Sequence, residues 1–139
     1  MENVAVVQQI YEAFGRGDIP AILDNLAEDV EWEYGVNSTS VPWLQPHRGR
    51  QGASEFFGYL GGLEVHKFVP KIMLESDDVV VALIDFEATV KETGQRISEE
   101  DEAHIWHFAQ GKVVRFRHRA DTHQHQLAYQ GQGVSGAIR

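Results

Sequence analysis

The chain has 139 residues, 42% of them hydrophobic, which is enough to bury the core of one ordinary globular domain. Its 21 acidic residues outnumber its 12 lysines and arginines, and the net charge of −9 argues against binding to nucleic acid. The absence of cysteine excludes a disulfide framework and a thiolate nucleophile. Since the first residues form no continuous apolar run, we expect a cytoplasmic protein without a signal peptide or membrane span.

The first half of the chain predicts three helices. Apolar residues at spacings of three and four predict the first helix, which ends at Gly15. Asp18 is expected to cap a second helix that has Pro20 in its first turn. A third helix is predicted over residues 51–60, because its aromatic residues share one face and a glycine pair follows it.

Strict alternation of apolar and polar residues predicts an early strand over residues 29–34. Trp32 and Tyr34 are expected on its buried face, and Glu33 on its solvated outer face. The following segment, residues 35–49, holds two prolines and is long for a loop in a compact domain. It is therefore a candidate lid or cavity mouth.

Residues after position 63 change to strand patterns, with strands predicted over 64–74 and 79–92 and a final hairpin around Gly111. Three helices and one early strand followed by a meander predict an α+β fold. In it, a curved, antiparallel to mixed β-sheet wraps around the three N-terminal helices as a cone. A single domain is predicted over residues 1–129, and residues 130–139 are expected to form a flexible tail.

The hairpin in residues 99–121 is the most informative segment. Ala109, Gln110 and Gly111 have the form of a three-residue loop. That loop would set Glu102 opposite His118 across the two strands, with side chains of alternate residues on one face. The inner face would also carry His104, Trp106 and Phe116. The outer face would carry Arg115, Arg117 and Arg119.

Several short motifs follow one another along the chain in a characteristic order. They are Tyr11-Glu12-Ala13-Phe14 with Gly17-Asp18-Ile19, Asp29-Val30-Glu31-Trp32, Gly49 and Gly52 before Phe56-Phe57, and Gly111-Lys112-Val113-Val114-Arg115-Phe116 ending at Asp121. Together they resemble the SnoaL-like branch of the nuclear transport factor 2-like superfamily. The resemblance implies a cone-like fold and a homodimer formed through the outer face of the sheet. It covers ketosteroid isomerases, polyketide cyclases, dehydratases, epoxide hydrolases and non-catalytic binding modules, so the fold does not imply one function.

The resemblance also implies positions for the site. Cyclase and epoxide hydrolase members place an acid/base aspartate on the last strand, where this chain has His118. The cyclase pattern of a hydrogen-bonding residue two positions before a histidine corresponds to Glu102 and His104. The paired aspartates of ketosteroid isomerases have no counterpart here.

We therefore predict His118 as an acid/base group, Glu102 as its orienting partner and His104 as a second donor. The alternative is that Glu102 and His118 form a solvated cross-strand ion pair worth about 0 to 1 kcal/mol. His104 is equally consistent with a core histidine that donates to a backbone carbonyl.

Aromatic side chains are predicted to line a substrate pocket. The candidate substrate-binding residues are Tyr11, Trp32, Tyr34, Trp43, His47, Phe86, Trp106 and Phe116. For Phe86 and Phe116 ordinary core packing is the alternative, for Tyr11 helix packing, and for His47 an exposed loop position.

The remaining histidines give no zinc spacing, and His123 and His125 are expected on the surface. Asp121 is interpreted as a helix cap rather than a base. We predict no metal and no cofactor. The function predicted is that of a cofactor-independent isomerase, cyclase, dehydratase or hydrolase acting on a small apolar or cyclic, carbonyl-bearing metabolite. The competing hypothesis is a non-catalytic ligand-binding or interaction domain.

Overall fold

A computed structural model of the protein describes residues 2–34 and 40–131. Its helices are α1 (Glu2–Arg16), α2 (Ile19–Leu23), α3 (Gly49–Leu60) and α4 (Thr122–Tyr129). Its strands are β1 (Leu26–Trp32), β2 (His47–Arg48), β3 (Leu63–Ser76), β4 (Val79–Val90), β5 (Arg96–Ala109) and β6 (Lys112–Arg119). Within the described ranges, no helix is both long and apolar enough to cross a membrane.

The six strands form one sheet in the order β2-β1-β6-β5-β4-β3. β1 runs parallel to β6, and the other neighbouring pairs are antiparallel. Helices cover the inner face of this mixed sheet. Along β4, fully buried apolar residues on this face alternate with half-buried residues on the outer face. The predicted α+β cone is thereby confirmed, and its interior is where α1, α3 and the sheet meet.

The predicted helix signals act as expected. Asp18 accepts a hydrogen bond from the backbone N–H of Ala21 at 3.2 Å and so caps α2. Asp121 caps α4 in the same way, accepting from the N–H of Gln124 at 3.1 Å. This cap starts a helix after the last strand, as predicted, and brings α4 against the end of the cone.

The register predicted for the final hairpin is wrong. Its loop has two residues, Gln110 and Gly111, with φ of 53° and 80°, which matches the turn that best suits twisted strands. A bulge at Val114 then shifts the pairing by one more residue. His104 therefore lies opposite His118, and Glu102 does not. The two shifts together preserve the side-chain parity, so His118 still faces inward.

The end of β1 also differs from the prediction. The strand stops at Trp32, and Glu33 adopts a left-handed φ of 59°. This turn reverses the alternation, so Glu33 is fully buried instead of solvated. Tyr34 consequently lies on the outer side, where its hydroxyl is 2.8 Å from Nε2 of His107 and the guanidinium of Arg115 lies 3.8 Å from its ring centre.

Residues 35–39 of the predicted lid lie outside the described residues, so the lid stays a prediction. In the rest of that segment a short 3₁₀ helix, Pro42–Leu44, packs into the core together with Val41. Of the predicted tail, Gln130 caps α4 and Gly131 has the positive φ typical of a helix end. Residues 132–139 are also outside the described residues.

Candidate active site

A cavity of about 70 Å³ lies inside the cone. Its walls are mostly apolar, and one carboxylate and three imidazoles interrupt them from the sheet and α4: Glu102, His104, His118 and His125. At 10–15 Å³ for each water-sized sphere, this space holds on the order of five non-hydrogen atoms. A carboxylate and imidazoles around so small an apolar space are groups that can exchange protons with a small bound molecule.

All three predicted catalytic side chains line this cavity, as do six of the predicted substrate-binding residues: Tyr11, Trp32, Trp43, Phe86, Trp106 and Phe116. Tyr34 and His47 do not. Tyr34 is turned to the outer face by the left-handed residue before it. His47 lies in the edge strand β2, 3.6 Å from Glu55 and stacked on Tyr59. The roles of the lining residues stay predictions.

A chain of hydrogen bonds runs through one wall of the cavity. The indole N–H of Trp106 donates to the hydroxyl of Tyr11 at 3.0 Å. The Tyr11 hydroxyl lies 2.7 Å from Nδ1 of His104, and Nε2 of His104 lies 2.7 Å from Oε1 of Glu102. Because an indole only donates, Tyr11 can accept from Trp106 and donate to Nδ1, so that His104 donates to Glu102 from Nε2.

The ionisation of this wall follows from its contacts. Burial raises the pKa of Tyr11 far above its usual value, so its hydroxyl keeps its proton. For Glu102, burial opposes the charge, but the hydrogen bond from His104 and the charge of His118 outweigh it and lower the pKa. Glu102 is therefore a carboxylate at neutral pH. Its Oε1 is engaged by His104, and its carboxyl group also contacts that of Glu99.

His118 is held by Glu33, which the alternation along β1 had predicted on the solvated face. Its Nδ1 lies 2.7 Å from Oε2 of Glu33, and its backbone N–H donates to Oε1 of the same carboxylate at 2.9 Å. Both side chains are buried. Since Nδ1 faces Glu33, Nε2 is the ring nitrogen left for a ligand, and no described residue hydrogen-bonds to it.

The charges around His118 determine its protonation. Burial lowers its pKa, but the negative charges of Glu33, Glu102 and Glu99 outweigh burial and raise the pKa to about 9. At neutral pH the ring is therefore an imidazolium, which donates protons rather than accepting them. The cavity thus combines a carboxylate that accepts with an imidazolium that donates.

His125 is buried, which corrects its predicted surface position, whereas His123 is exposed as expected. The helix started by Asp121 turns His125 inward, where Nδ1 accepts from the indole N–H of Trp43 at 2.9 Å and Nε2 contacts Glu99. The spacing of His125, Ala128 and Tyr129 could have indicated this buried helix face.

Glu99 reaches the site because β5 is irregular. The pairing between β4 and β5 shifts between Ile84 and Phe86, and Asp101 has a left-handed φ of 61°. This bulge lets Glu99 and Glu102, three residues apart, approach one another near the same end of the cavity. Regular alternation would have placed Glu99 and Glu102 on opposite faces of the sheet, so no pattern in the sequence indicated that they approach one another.

Ligand atoms of Glu99, Glu102 and His125 lie within 4.8 Å of one another, a spacing that a metal ion could use. The donor set does not fit one. Because the indole N–H of Trp43 donates to Nδ1 of His125, that nitrogen carries no proton. Coordination through Nε2 would then require an imidazolate, whereas metal-binding histidines normally keep a proton on the other nitrogen.

The comparisons with known proteins identify the family. A family model described as a SnoaL-like domain matches residues 7–116. The chain belongs to the SnoaL-like domain family. No curated protein matches this SnoaL-like sequence significantly.

Solved structures show the same fold. An NTF2-like protein from Burkholderia xenovorans is 25% identical with a TM-score of 0.80, covering 91% of this chain and 95% of that one. An NTF2-like protein of unknown function from Burkholderia pseudomallei is 26% identical with a TM-score of 0.71, covering 88% and 93%. A protein provisionally named polyketide cyclase from Xanthomonas campestris is 20% identical with a TM-score of 0.72, covering 91% and 96%. That last likeness concerns the fold alone.

Proposed function

We propose that this SnoaL-like protein binds a small neutral carbonyl compound and transfers a proton on it, with Glu102 as base and His118 as acid. One observation carries the proposal: a buried carboxylate, from Glu102, and a buried imidazolium, from His118, line the same apolar cavity. Acid and base groups positioned together in a dry pocket are what proton transfer at carbon requires.

The step starts at a carbon next to a carbonyl group. The carboxylate of Glu102 takes the proton from that carbon. The electron pair of the C–H bond becomes the C=C bond of the enol, and the π pair of the C=O bond moves to the oxygen. Nε2–H of His118 donates its proton to that oxygen, giving an enol, a protonated Glu102 and a neutral His118. Return of the two protons to different atoms gives isomerisation. Loss of a neighbouring hydroxyl from the enol, or attack of the enol on a second carbonyl, gives dehydration or aldol-type cyclisation.

The charges of the site restrict the substrate. Three carboxylates, from Glu33, Glu99 and Glu102, surround one imidazolium, so an anionic substrate would be repelled. A carboxylate with a lowered pKa is a weak base, and proton transfer is efficient only when the pKa values are matched. The carbon acid should therefore be activated, for example by lying between two carbonyl groups. The indole N–H of Trp32, whose ring lines this cavity, is buried and has no hydrogen-bond partner among the described residues.

The test is hydrogen exchange at the central carbon of pentane-2,4-dione, which has seven non-hydrogen atoms and is close to the size of the cavity. The protein is expected to accelerate deuterium incorporation from heavy water above the rate in buffer alone, measured by proton NMR. Exchange no faster than in buffer contradicts the proposal. Binding of the dione without faster exchange would instead support the non-catalytic alternative, in which the cavity holds a ligand without converting it.

We also propose that the outer face of the sheet binds a second copy of the chain. Ile72 and Leu74 on β3 are 47% and 61% exposed, beside the half-buried Leu83 of β4. The same outer face also carries the arginines of β6 and the cluster in which Lys71 contacts Asp85 and Asp101, so it offers both signs of charge to a second copy. These charges are complementary.

Leu74→Glu is expected to convert this dimer into a monomer, because it places a charge in the apolar band. Analytical ultracentrifugation at several concentrations measures the change. Gln51→Glu, which adds the same charge at an exposed position of α3, is the control and should leave the dimer intact. A monomeric wild-type protein at all concentrations would contradict the proposal.

A further inference from the structure

Glu33 occupies a position that a glutamate rarely adopts. Its φ of 59° lies in the left-handed region, which is unfavourable for a residue with a side chain and persists only where the surroundings impose it. Its backbone N–H donates to the carbonyl of Phe116 at 2.6 Å, which fixes the turn against β6. The result is a carboxylate carried from the outer side of β1 into the interior.

The burial of Glu33 is costly unless the charge is compensated. The residue is 0% exposed, and an unpaired buried carboxylate is strongly unfavourable. Both of its compensating contacts go to His118: one to the ring Nδ1 at 2.7 Å and one to the backbone N–H at 2.9 Å. Two oxygens of one carboxylate thus fix both the main chain and the ring of a single residue.

The geometry assigns Glu33 as the positioning residue of His118: it holds the ring by Nδ1 and directs Nε2–H to the ligand. This inference rests on the proposed function, in which His118 is the acid. It goes beyond that function by naming the group that makes His118 an acid instead of a base. The predicted partner, Glu102, is hydrogen-bonded to His104 and has its own role.

Several ionisable groups face His118 and belong to three elements. They are Glu33 after β1, Glu99, Glu102 and His104 on β5, and His125 on α4. Of these, Glu33 has the nearest contact to the ring nitrogen, and its charge is the largest of the influences that raise the pKa of His118. Replacing Glu33 should therefore change the titration of His118 more than replacing either glutamate of β5.

The test is an NMR titration of the His118 ring in Glu33→Gln. Removing an opposite charge at this distance is expected to lower the pKa of His118 by about 1 to 3 units. Glu31→Gln removes a glutamate two residues earlier that pairs with arginines on the outer side, and it should leave the titration unchanged. In Glu33→Gln, the pH at which the dione exchange rate declines should fall by the same number of pH units as the pKa of His118. In Glu31→Gln that pH should not change.

An unchanged His118 titration in folded Glu33→Gln would overturn the inference. If that variant does not fold, the wild-type protein still provides the test. At pH 7.5 the Nδ1 proton of His118 in the wild-type protein should appear as a slowly exchanging low-field resonance. Absence of that resonance would overturn the positioning role of Glu33. Neither the NMR titration nor the Nδ1 resonance requires turnover. A lowered pKa of His118 in Glu33→Gln, together with no exchange activity in the wild-type protein, would therefore refute the proposed function and leave the positioning role of Glu33 supported.

Discussion

Glu102→Gln is expected to reduce the rate of dione exchange by about 10²- to 10⁴-fold, the usual contribution of a positioned general base. The amide keeps the size of the side chain, and its oxygen can still accept from His104, but it cannot take a proton from carbon. The measurement is the exchange rate at saturating and subsaturating dione. A loss confined to the catalytic rate constant would identify an interaction made in the transition state.

Glu100→Gln is the matched control for this prediction. Glu100 lies two residues earlier on β5, carries the same charge and is exposed. It should leave both rate constants unchanged. If Glu100→Gln and Glu102→Gln had the same small effect, the exchange would not depend on the buried carboxylate, and Glu102 would be removed from the mechanism.

The second large effect concerns stability. The pKa of His118 is raised from the ordinary 6.5 to about 9 in the folded protein, because nearby carboxylates favour its charged form despite burial. Its contribution to stability is therefore fully present below pH 6.5 and is lost as the pH rises through about 9. The size of this contribution is on the order of 3 kcal/mol. Urea unfolding at pH 6, 7.5 and 9.5 measures it.

Comparison with Glu33→Gln separates this contribution from that of other groups. Without the Glu33 carboxylate, the pKa of His118 should lie closer to its ordinary value, and the loss of unfolding free energy between pH 6.5 and 9 should shrink. The same slope in both proteins would show that His118 and Glu33 are not its source.

Local signals in the sequence were sufficient for most of the fold. Asp18 and Asp121 provide side-chain oxygens for helix starts, and the alternation along β4 identifies its buried face. Helix caps and strand alternation depend on residues close together in the sequence, so a sequence pattern can predict them. The inward direction of His118 was also predictable, because the arginines beside it require the outer face.

The partners within the site were not predictable. Pairing depends on the two-residue loop and on bulges in the sheet, and each of these displaces the register by one residue without leaving a pattern. The burial of Glu33 was unpredictable for the same reason. Alternation along β1 predicts an outward side chain, and no neighbouring residue indicates that the backbone of Glu33 adopts a left-handed φ. His125 was misplaced because a helix of only eight residues has a weak apolar pattern.

In the proposed reaction His118 acts as a charged acid beside the base Glu102. The most direct measurement is the pH dependence of dione exchange, with His118 titrated by NMR in the same samples. The exchange rate, corrected for buffer and for the ionisation of the dione itself, should be constant near neutral pH and should fall as His118 loses its proton at a pKa of about 9. A corrected rate that instead rises through the pKa of His118 would show that the neutral imidazole is the working form, and would rule out His118 as the acid.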